Sequence, residues 1–481
     1  MKSSDNSIPA KNRPFRLTLV HPCVGRHAGM KKYVRTWKME PLPPAAIAAL
    51  APPEVEKRFY DDRLEPIPYD EPTDLVAISV ETYTARRSYQ IASEFRKRGV
   101  PVVMGGFHAT LCPDEVRQYC ESIVIGEAED TFPELIDDYR HGRPKREYRA
   151  TSRPAMSVLP DRSVYAGKKY LPIRLAEFAR GCRFKCDFCA IQSFFQSTHR
   201  HRPVDQVVAE IHDIRRRGQM IFFVDDNITS SPAEAKELMR ALIPLKIRWV
   251  SQASIDIGYD DEALDLMKRS GCQGVLVGLE SLDAGTLATM NKGFNMMKGG
   301  PEVALANFRR HKLRVYGTFV FGYDEDRPES IRETVRWARE QALFIAAFNH
   351  ITPFPGTPLY ERMKQEGRLI RDPWWLDEQY RYNMIPFQPV HFSPKELAAC
   401  CFEARKEFYS WRSITQRGSH PIMWSSPWML TNFLVINAMH HWDVETRSGL
   451  PLGDPAWRGN LLKAHPDPAP ATPARHGALV H

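Results

Sequence analysis

The 481-residue sequence lacks an uninterrupted apolar run of about 18 residues, the length that a membrane-spanning helix requires. It also lacks a strong excess of charge, because 66 lysine and arginine residues against 58 acidic residues leave a formal charge of only +8. So small and dispersed an excess indicates a mixed surface and predicts no nucleic-acid partner. Met1–Ala10 has no apolar core of the kind that a secretory signal carries, so we expect a cytoplasmic protein.

Disulfide bonds are a second feature that the sequence does not favour. The chain has nine cysteines, an odd number, and three of them, Cys182, Cys186 and Cys189, fall in one short segment. The other six are scattered: Cys23, Cys112, Cys120, Cys272, Cys400 and Cys401. This distribution is a poor disulfide framework and a good set of metal ligands in a reducing compartment.

The first part of the chain alternates short apolar strands with helix-length segments, which predicts parallel strands joined by crossover helices. Over 13–140 we therefore expect an α/β, doubly wound, Rossmann-like sheet. Its predicted strands are Phe15–Val20, Val55–Tyr60, Leu75–Val80, Pro101–Met104 and Ser122–Ile125. A linker is expected over 141–170, where Arg143-Pro144 and Arg153-Pro154 interrupt regular structure.

The second alternating region, 171–370, contains six strand-like segments. Six βα units are too few to close an eight-unit barrel, so we expect an incomplete (β/α)6 barrel. The predicted strands are Ile173–Phe178, Ile221–Val224, Ile247–Ser251, Gly274–Gly278, Val315–Phe321 and Leu343–Ile351. A helical region is expected over 371–450, and a disordered tail rich in proline and alanine over 451–481.

The cysteine segment is the most specific feature of the sequence. Cys182, Cys186 and Cys189 on one polar loop after a strand can bind three irons of a cubane cluster and leave the fourth iron open to another ligand. A structural zinc ion would need a fourth ligand, which His199 or His201 could supply, but no second C-x₂-C pair is present. The spacing favours an iron–sulfur cluster, with zinc as the alternative.

The C-x₃-C-x₂-C loop, with Phe188 before its last cysteine, resembles the signature of the radical S-adenosylmethionine (radical SAM) enzymes. Later segments resemble the same superfamily: Phe223-Val-Asp-Asp-Asn227, Gly278-Leu-Glu-Ser281, Gly317-Thr-Phe-Val-Phe-Gly322 and Pro353-Phe-Pro-Gly-Thr-Pro358. Because a sheet domain stands upstream, the resemblance is to the branch that carries a cobalamin-binding domain. It extends from about Phe15 to Ile370 and implies that Phe188 contacts SAM.

The resemblance implies that the three cysteines hold a [4Fe–4S] cluster whose open iron binds SAM. The superfamily commonly has Gly-Gly-Glu after the second strand, to hold the amino group of SAM. This chain has Asp225-Asp226-Asn227 there, so one of the two aspartates would take that role. Gln252 and Glu280, at the ends of the third and fourth strands, would contact the ribose and the methionine moiety. The alternative for the aspartates is a helix cap.

Three loops after the predicted N-terminal strands resemble the cobalamin-binding loops of that branch. Ligands bind at the carboxyl ends of strands in such sheets, and paired glycines permit close approach of the backbone. The candidate cobalamin-binding residues are Ser79, Thr82, Gly105, Gly106, His108, Gly126 and Glu127. A tight turn is the alternative for an isolated Gly-Gly pair.

Many cobalamin proteins supply a histidine to cobalt from an Asp-x-His-x-x-Gly motif after the first strand. This chain has His21-Pro-Cys-Val-Gly25 instead. We therefore expect that His21 is not a cobalt ligand and that the lower face of the corrin lacks a histidine. A domain that has lost cobalamin would show the same departure, and that alternative stays open.

The resemblance implies a radical enzyme that methylates an unactivated carbon of a small, hydrophobic intermediate, with a flavodoxin or ferredoxin as electron donor. One alternative is a radical cyclase or ring-rearranging enzyme, and another is a non-catalytic cobalamin or cluster sensor. The sequence identifies no catalytic residue. Pro427–Trp442 is dense in Trp, Met, Leu and Phe, which indicates core packing, with a wall for a hydrophobic substrate as the alternative.

Overall fold

A computed structural model of the chain describes residues 13–216 and 219–464. Its N-terminal part is a six-stranded parallel sheet in the order β2-β1-β3-β4-β5-β6. The strands are β1 (Arg16–His21), β2 (Glu56–Asp61), β3 (Leu75–Ser79), β4 (Val102–Gly105), β5 (Ser122–Ile125) and β6 (Glu147–Arg149). The helices between them are α1 (Leu42–Leu50), α2 (Ala85–Lys97), α3 (Phe107–Leu111), α4 (Pro113–Val116) and α5 (Thr131–Arg140).

Both faces of this sheet are covered, as the apolar strands require. In β3, Leu75 and Ala77 pack into a core that includes residues of α1 and α5. The alternate residues, Val76 and Ile78, pack into a second core that includes residues of α2. Because successive side chains point to opposite faces, a strand with no polar side chain in its centre must lie between two layers of helices. The expected doubly wound fold is confirmed.

The sixth strand, β6, lies inside the segment that the sequence assigns to a linker. Glu147 pairs in register with Ile123 of β5, so the sheet is one strand wider than expected. β6 spans three residues, and only Tyr148 among them is buried. A segment this short carries no hydrophobic periodicity, which explains why the sequence does not predict it.

The second part is an open, barrel-like sheet. Its six strands are all parallel. Their order across the sheet, β7-β10-β11-β12-β13-β14, follows their order along the chain, with β8 and β9 left out of this sheet. The six strands are β7 (Ile173–Ala176), β10 (Met220–Phe223), β11 (Trp249–Ala253), β12 (Cys272–Glu280), β13 (Arg314–Phe321) and β14 (Ile345–His350). A separate antiparallel pair, β8 (Ala179–Gly181) and β9 (His199–His201), follows β7. The expected incomplete barrel is confirmed.

The helices of this part cover one face of the sheet. Apart from α6 (Ala190–Phe195), whose Phe194 and Phe195 rings pack on Phe107 of α3, they are α7 (Val204–Ile214), α8 (Pro232–Leu242), α9 (Asp261–Arg269), α10 (Ala284–Thr289), α11 (Gly300–Arg310), α12 (Pro328–Glu340) and α13 (Pro358–Gln365). In β13, Val315, Phe319 and Phe321 are buried in the core that these helices share. The alternate residues, Tyr316 and Val320, are partly exposed. The sheet therefore has a second, concave face that the helices leave open.

The C-terminal region is helical, with α14 (Pro394–Phe408), α15 (Trp411–Gly418) and α16 (Pro427–Thr446). Its side chains bond the free edge of β14. The Tyr409 hydroxyl donates to Ala346 O at 2.7 Å, and Arg405 Nη1 donates to Phe348 O at 2.7 Å. An open sheet exposes unpaired backbone groups at each edge, and these helices satisfy those of β14.

The tail is ordered further than the sequence predicts. Residues 451–464 lie along α2, where Leu462 N donates to Ser93 Oγ at 2.9 Å and Trp457 Nε1 donates to Glu94 at 2.8 Å. The expectation of a disordered tail from residue 451 is therefore wrong up to 464, and its remainder, 465–481, lies outside the described residues. Among the helices of 13–216 and 219–464, none is long and apolar enough to span a bilayer.

Candidate active site

The three-cysteine loop runs from the end of β8 to the start of α6. Gly181, just before it, adopts a φ of +82°, and a Cβ there would lie 2.0 Å from Thr198 O, so no other residue fits without moving the backbone. Asp187, within the loop, accepts a hydrogen bond from the Tyr323 hydroxyl at 2.7 Å, and Leu359 N donates to Asp187 O at 3.0 Å. The loop is thus fixed to the segments that follow β13 and β14.

The three thiols lie within electrostatic reach of one another. Burial raises the pKa of Cys186 to about 12, and the Cys182 and Cys189 thiols also raise it, while Lys292 acts against them. Asn227 Nδ2 donates to Cys182 Sγ at 3.6 Å. Three neighbouring thiols on one loop are soft ligands that bind iron as thiolates, and the cationic Lys292 nearby suits the anionic cluster that results. The donor set fits a [4Fe–4S] cluster.

The two aspartates after β10 bind the backbone of the segment that precedes the cysteines, from Phe178 to the end of β8. Asp225 Oδ1 accepts from Phe178 N at 2.8 Å, and Asp226 Oδ2 accepts from Gly181 N at 2.7 Å. Asp225 Oδ2 is buried and has no hydrogen-bond partner in the described part of the chain. Burial raises the pKa of Asp226 to about 6 and that of Asp225 well above its usual range. A buried, unpaired carboxylate oxygen fits the ammonium group of SAM.

The other residues expected to contact SAM are spread around the same edge of the sheet. Glu280 ends β12, and its carboxylate pairs with Lys292 at 2.7 Å. Gln252 is partly exposed on β11, and Phe188 packs against the core beneath the cysteine loop. The structure therefore brings these residues to one end of the sheet, and their contacts with SAM stay predictions.

A cavity of about 330 Å³ lies at the carboxyl ends of the N-terminal strands. Five of the seven candidate cobalamin-binding residues line it: Ser79, Gly105, Gly106, Gly126 and Glu127. Gly106 adopts a φ of +99°, and a Cβ there would approach Ser79 Oγ to 2.9 Å and Val80 O to 3.0 Å. The cavity wall is thus a close-packed backbone that a corrin or its nucleotide tail could approach, and this shape fits cobalamin.

The remaining two candidates do not line this cavity. Thr82 Oγ1 and His108 Nδ1 lie 3.2 Å apart, and His108 Nε2 lies 3.1 Å from Glu115 Oε1. His108 and Thr82 are buried. Both residues therefore hold the loop in place from beneath and do not form part of the cavity wall. His21, which the sequence excludes as a cobalt ligand, also lies outside the cavity lining, and burial and Arg63 lower its pKa to about 3.

The same cavity is also lined by residues of the second part of the chain that the sequence does not single out, among them Arg180 and Phe194. Arg180 of β8 forms an ion pair with Glu127 at 2.9 Å and another with Glu129. Arg200 of β9 donates to the same Glu127 at 2.6 Å. The Phe107 and Phe194 rings, one from each part, lie 4.5 Å apart. Arg180 stands two residues before Cys182, and this is the one sequence signal that could have pointed to it.

Comparison with known proteins identifies the two parts. The profile of the Radical SAM superfamily matches residues 176–338, and that of the B12 binding domain matches residues 51–136. The bacteriochlorophyllide d C-12(1)-methyltransferase of Chlorobaculum tepidum is 31% identical over 408 residues, which cover 82% of this chain and 88% of the relative. The chain belongs to the radical SAM enzymes that carry a cobalamin-binding domain.

Other comparisons agree with this assignment. The solved structure of the cobalamin-dependent SAM radical enzyme OxsB, with aqua-cobalamin and SAM bound, shares the fold with a TM-score of 0.63 at 14% identity. The match covers 90% of this chain and 72% of that chain. An anaerobic magnesium-protoporphyrin IX monomethyl ester cyclase of Cereibacter sphaeroides is 24% identical over 453 residues, covering 83% of this chain and 71% of the relative.

The chain is thus an enzyme of the cobalamin-dependent radical SAM methyltransferase family, which sets aside the non-catalytic sensor. Its cofactors are a [4Fe–4S] cluster, SAM and cobalamin, so the zinc site and the loss of cobalamin are also set aside.

Proposed function

We propose that this enzyme transfers a methyl group from cobalamin to an unactivated carbon of a small, apolar biosynthetic intermediate. When bound, the cluster and SAM supply a 5′-deoxyadenosyl radical that removes a hydrogen atom, and cobalamin supplies the methyl group. The observation that supports the proposal is that the expected cobalamin and SAM sites border the same cavity. Gly105, Gly106 and Gly126 of the cobalamin loops and Asp226 of the SAM side line a single cavity.

The protein's own part in this reaction is to place the two cofactors and to exclude water. Asp225 would hold the ammonium of SAM through its unpaired Oδ2, because Phe178 N already fixes the other oxygen. Glu127, held by Arg180 and Arg200, would keep the cobalamin loop against the cysteine loop. Because rigid elements would hold the two cofactors close together, the methyl group could be transferred before side reactions occur.

The concave face of the second sheet supports an apolar substrate. Most of the partly exposed residues on the alternate strand positions that point away from the helices are apolar: Phe222, Val224, Val250, Leu276 and Val320. Gln252 and Thr318 are the polar residues in phase with Val250 and Val320. Such a lining favours a hydrophobic molecule with few polar groups. The first class to test is a chlorophyllide-type tetrapyrrole, because the relative at 31% identity is named for such a substrate.

We further propose that a reduced flavodoxin or ferredoxin supplies the electron. Arg183 and Lys185 are exposed on the cysteine loop itself, next to Cys182 and Cys186, and Arg183 also forms an ion pair with Asp256. Exposed cations there would attract an acidic donor, since charge complementarity raises the rate of encounter.

The test is turnover of the anaerobically reconstituted enzyme with methyl-deuterated SAM and a chlorophyllide. Methyl transfer predicts a product that carries the deuterated methyl group, with 5′-deoxyadenosine and S-adenosylhomocysteine in equal amounts, because one SAM is cleaved and a second remethylates cobalt. Deoxyadenosine and a changed product without S-adenosylhomocysteine would overturn methyl transfer in favour of the cyclase or rearrangement reaction.

Variants of the cysteines provide the matched control. Cys186→Ala should lose cluster absorbance and all SAM cleavage, because the cluster keeps only two protein ligands. Cys400→Ala, on α14, should retain both. A Cys186→Ala protein with a full complement of iron would refute the cluster assignment.

A further inference from the structure

The outer face of α16 is apolar although it is exposed. The helix carries no Asp, Glu, Lys or Arg from Pro427 to Trp442. Its inner face is buried by Met429, Phe433 and Val444, while Leu434 is 47% exposed, Val435 52% and Trp442 53%. A surface helix ordinarily carries polar residues on its outer side, and a helix that is apolar all round is normally covered on all sides.

This face continues onto the neighbouring helix. Trp411, which begins α15, is 52% exposed, and its ring centroid lies 6.4 Å from that of Trp442. It also packs on His441, with the two rings 4.8 Å apart. We call Trp411, Leu434, Val435 and Trp442 the α16 outer face. Contiguous exposed apolar groups of this kind mark an interaction surface rather than isolated surface residues.

The border of the α16 outer face is cationic. The Arg35 guanidinium lies over the Trp442 ring, 5.3 Å from its centroid. Lys31 and Lys32 are exposed a few residues earlier in the chain. Two carboxylates follow the face. Asp443 is buried and accepts from Thr36 N at 2.8 Å, whereas Glu445 is exposed and lies 4.0 Å from Lys406. Arg35, Lys31 and Lys32 therefore leave an excess of positive charge at this border.

We propose that the α16 outer face docks the enzyme on the surface of a lipid bilayer that contains anionic lipids. Tryptophan and aliphatic side chains bury their apolar parts at the boundary between head groups and acyl chains, and nearby Lys and Arg bind the acidic head groups. The inference is independent of the proposed reaction. Docking at the bilayer would bring the enzyme close to an apolar substrate that is dissolved in the membrane.

The experiment is flotation of the full-length holoenzyme with vesicles of phosphatidylcholine alone and of phosphatidylcholine with phosphatidylglycerol. Binding is expected with the anionic vesicles and should weaken with added salt, since exposed charge pairs are screened. The variant Leu434→Asp/Trp442→Asp should bind at least about tenfold more weakly, because two apolar contacts are lost. Val390→Asp, at a site 54% exposed outside α14–α16, is the matched control and should bind like the wild type.

Two measurements keep the outcomes distinct. Iron content and far-UV circular dichroism of the variant should equal those of the wild type, because both replaced side chains are exposed. Equal binding of variant and wild type to the anionic vesicles, or no binding by either, would overturn the proposal. So would a wild-type dimer in size-exclusion chromatography that Leu434→Asp/Trp442→Asp converts to a monomer, because the face would then bind a second copy.

Discussion

Glu127 Oε1 lies 2.9 Å from Arg180 Nη1, and this ion pair joins the cobalamin-binding sheet to the strand that leads into the cysteine loop. Arg200 binds the same carboxylate, and Glu127 itself is only 9% exposed. Removal of this buried charge would leave Arg200 without its carboxylate partner, whereas Arg180 keeps its ion pairs with Glu129 and Glu177. Glu127 thus links the N-terminal sheet to the strand pair on either side of the cysteine loop.

Glu127→Gln should destabilise the protein by about 1–3 kcal/mol, because the amide offers neither arginine a full charge. The measurement is the midpoint of urea unfolding. Glu147→Gln is the matched control: Glu147 also bridges two arginines, Arg117 and Arg149, but in a more exposed setting. Its effect should stay below about 1 kcal/mol. Equal effects of the two changes would refute a special role for Glu127.

Gly106→Ala should lower the affinity for cobalamin by about tenfold or more, because the new Cβ would crowd Ser79 Oγ and Val80 O in the cavity wall. Corrin per chain after gel filtration measures this, and iron content should not change. Gly142→Ala is the control, since Gly142 also has a positive φ, +70°, but no atom within 4 Å of the added Cβ. Loss of corrin in both variants would point to general backbone strain.

His350 should make the protein sensitive to acid. It is 4% exposed, neither ring nitrogen has a hydrogen-bond partner in the described residues, and burial and Arg405 lower its pKa to about 3. Its folded pKa lies below the unfolded value, so the stability it contributes is present above about pH 6.5 and is lost as the pH falls. At pH 5 the loss should reach about 2 kcal/mol relative to pH 8.

His350→Leu should therefore flatten the fall in unfolding free energy between pH 6.5 and pH 5, measured by urea titrations at each pH. His212→Gln, at an exposed position on α7, should leave the fall unchanged. An acid response of His350→Leu identical to that of the wild type would show that other groups cause it.

Tyr409→Phe should destabilise the protein by about 1–2 kcal/mol, because the backbone oxygen of Ala346 at the sheet edge loses its buried donor. Tyr259→Phe removes a hydroxyl shared between Met297 O at 2.8 Å and Gly300 O at 2.7 Å in a more exposed setting, where water can replace it, so its effect should be smaller. Urea unfolding compares the two. An effect of Tyr409→Phe no larger than that of Tyr259→Phe would refute the proposed capping of β14.

The sequence by itself determined the elements and their class. Short apolar strands such as Leu75–Ser79 can be predicted from sequence because a strand covered on both faces must be apolar throughout. The structure places this strand at the position that the pattern predicts. The cysteine spacing is equally local, since one loop carries all three cysteines of the motif, and it led to the correct family. The Gly105-Gly106 pair was a weaker signal, because a tight turn would also require glycine, and only the structure shows that both residues line the cavity.

Tertiary structure alone decided which loops meet. Arg180 and Glu127 are far apart in the chain, and nothing in either local sequence states that they pair. The same holds for Thr82 and His108, whose polar side chains satisfy each other instead of lining the cavity. It holds too for the outer face of α16, which has the composition of a core helix. A hydrophobic pattern records what a residue prefers, whereas its actual partner depends on the packing of segments distant in sequence.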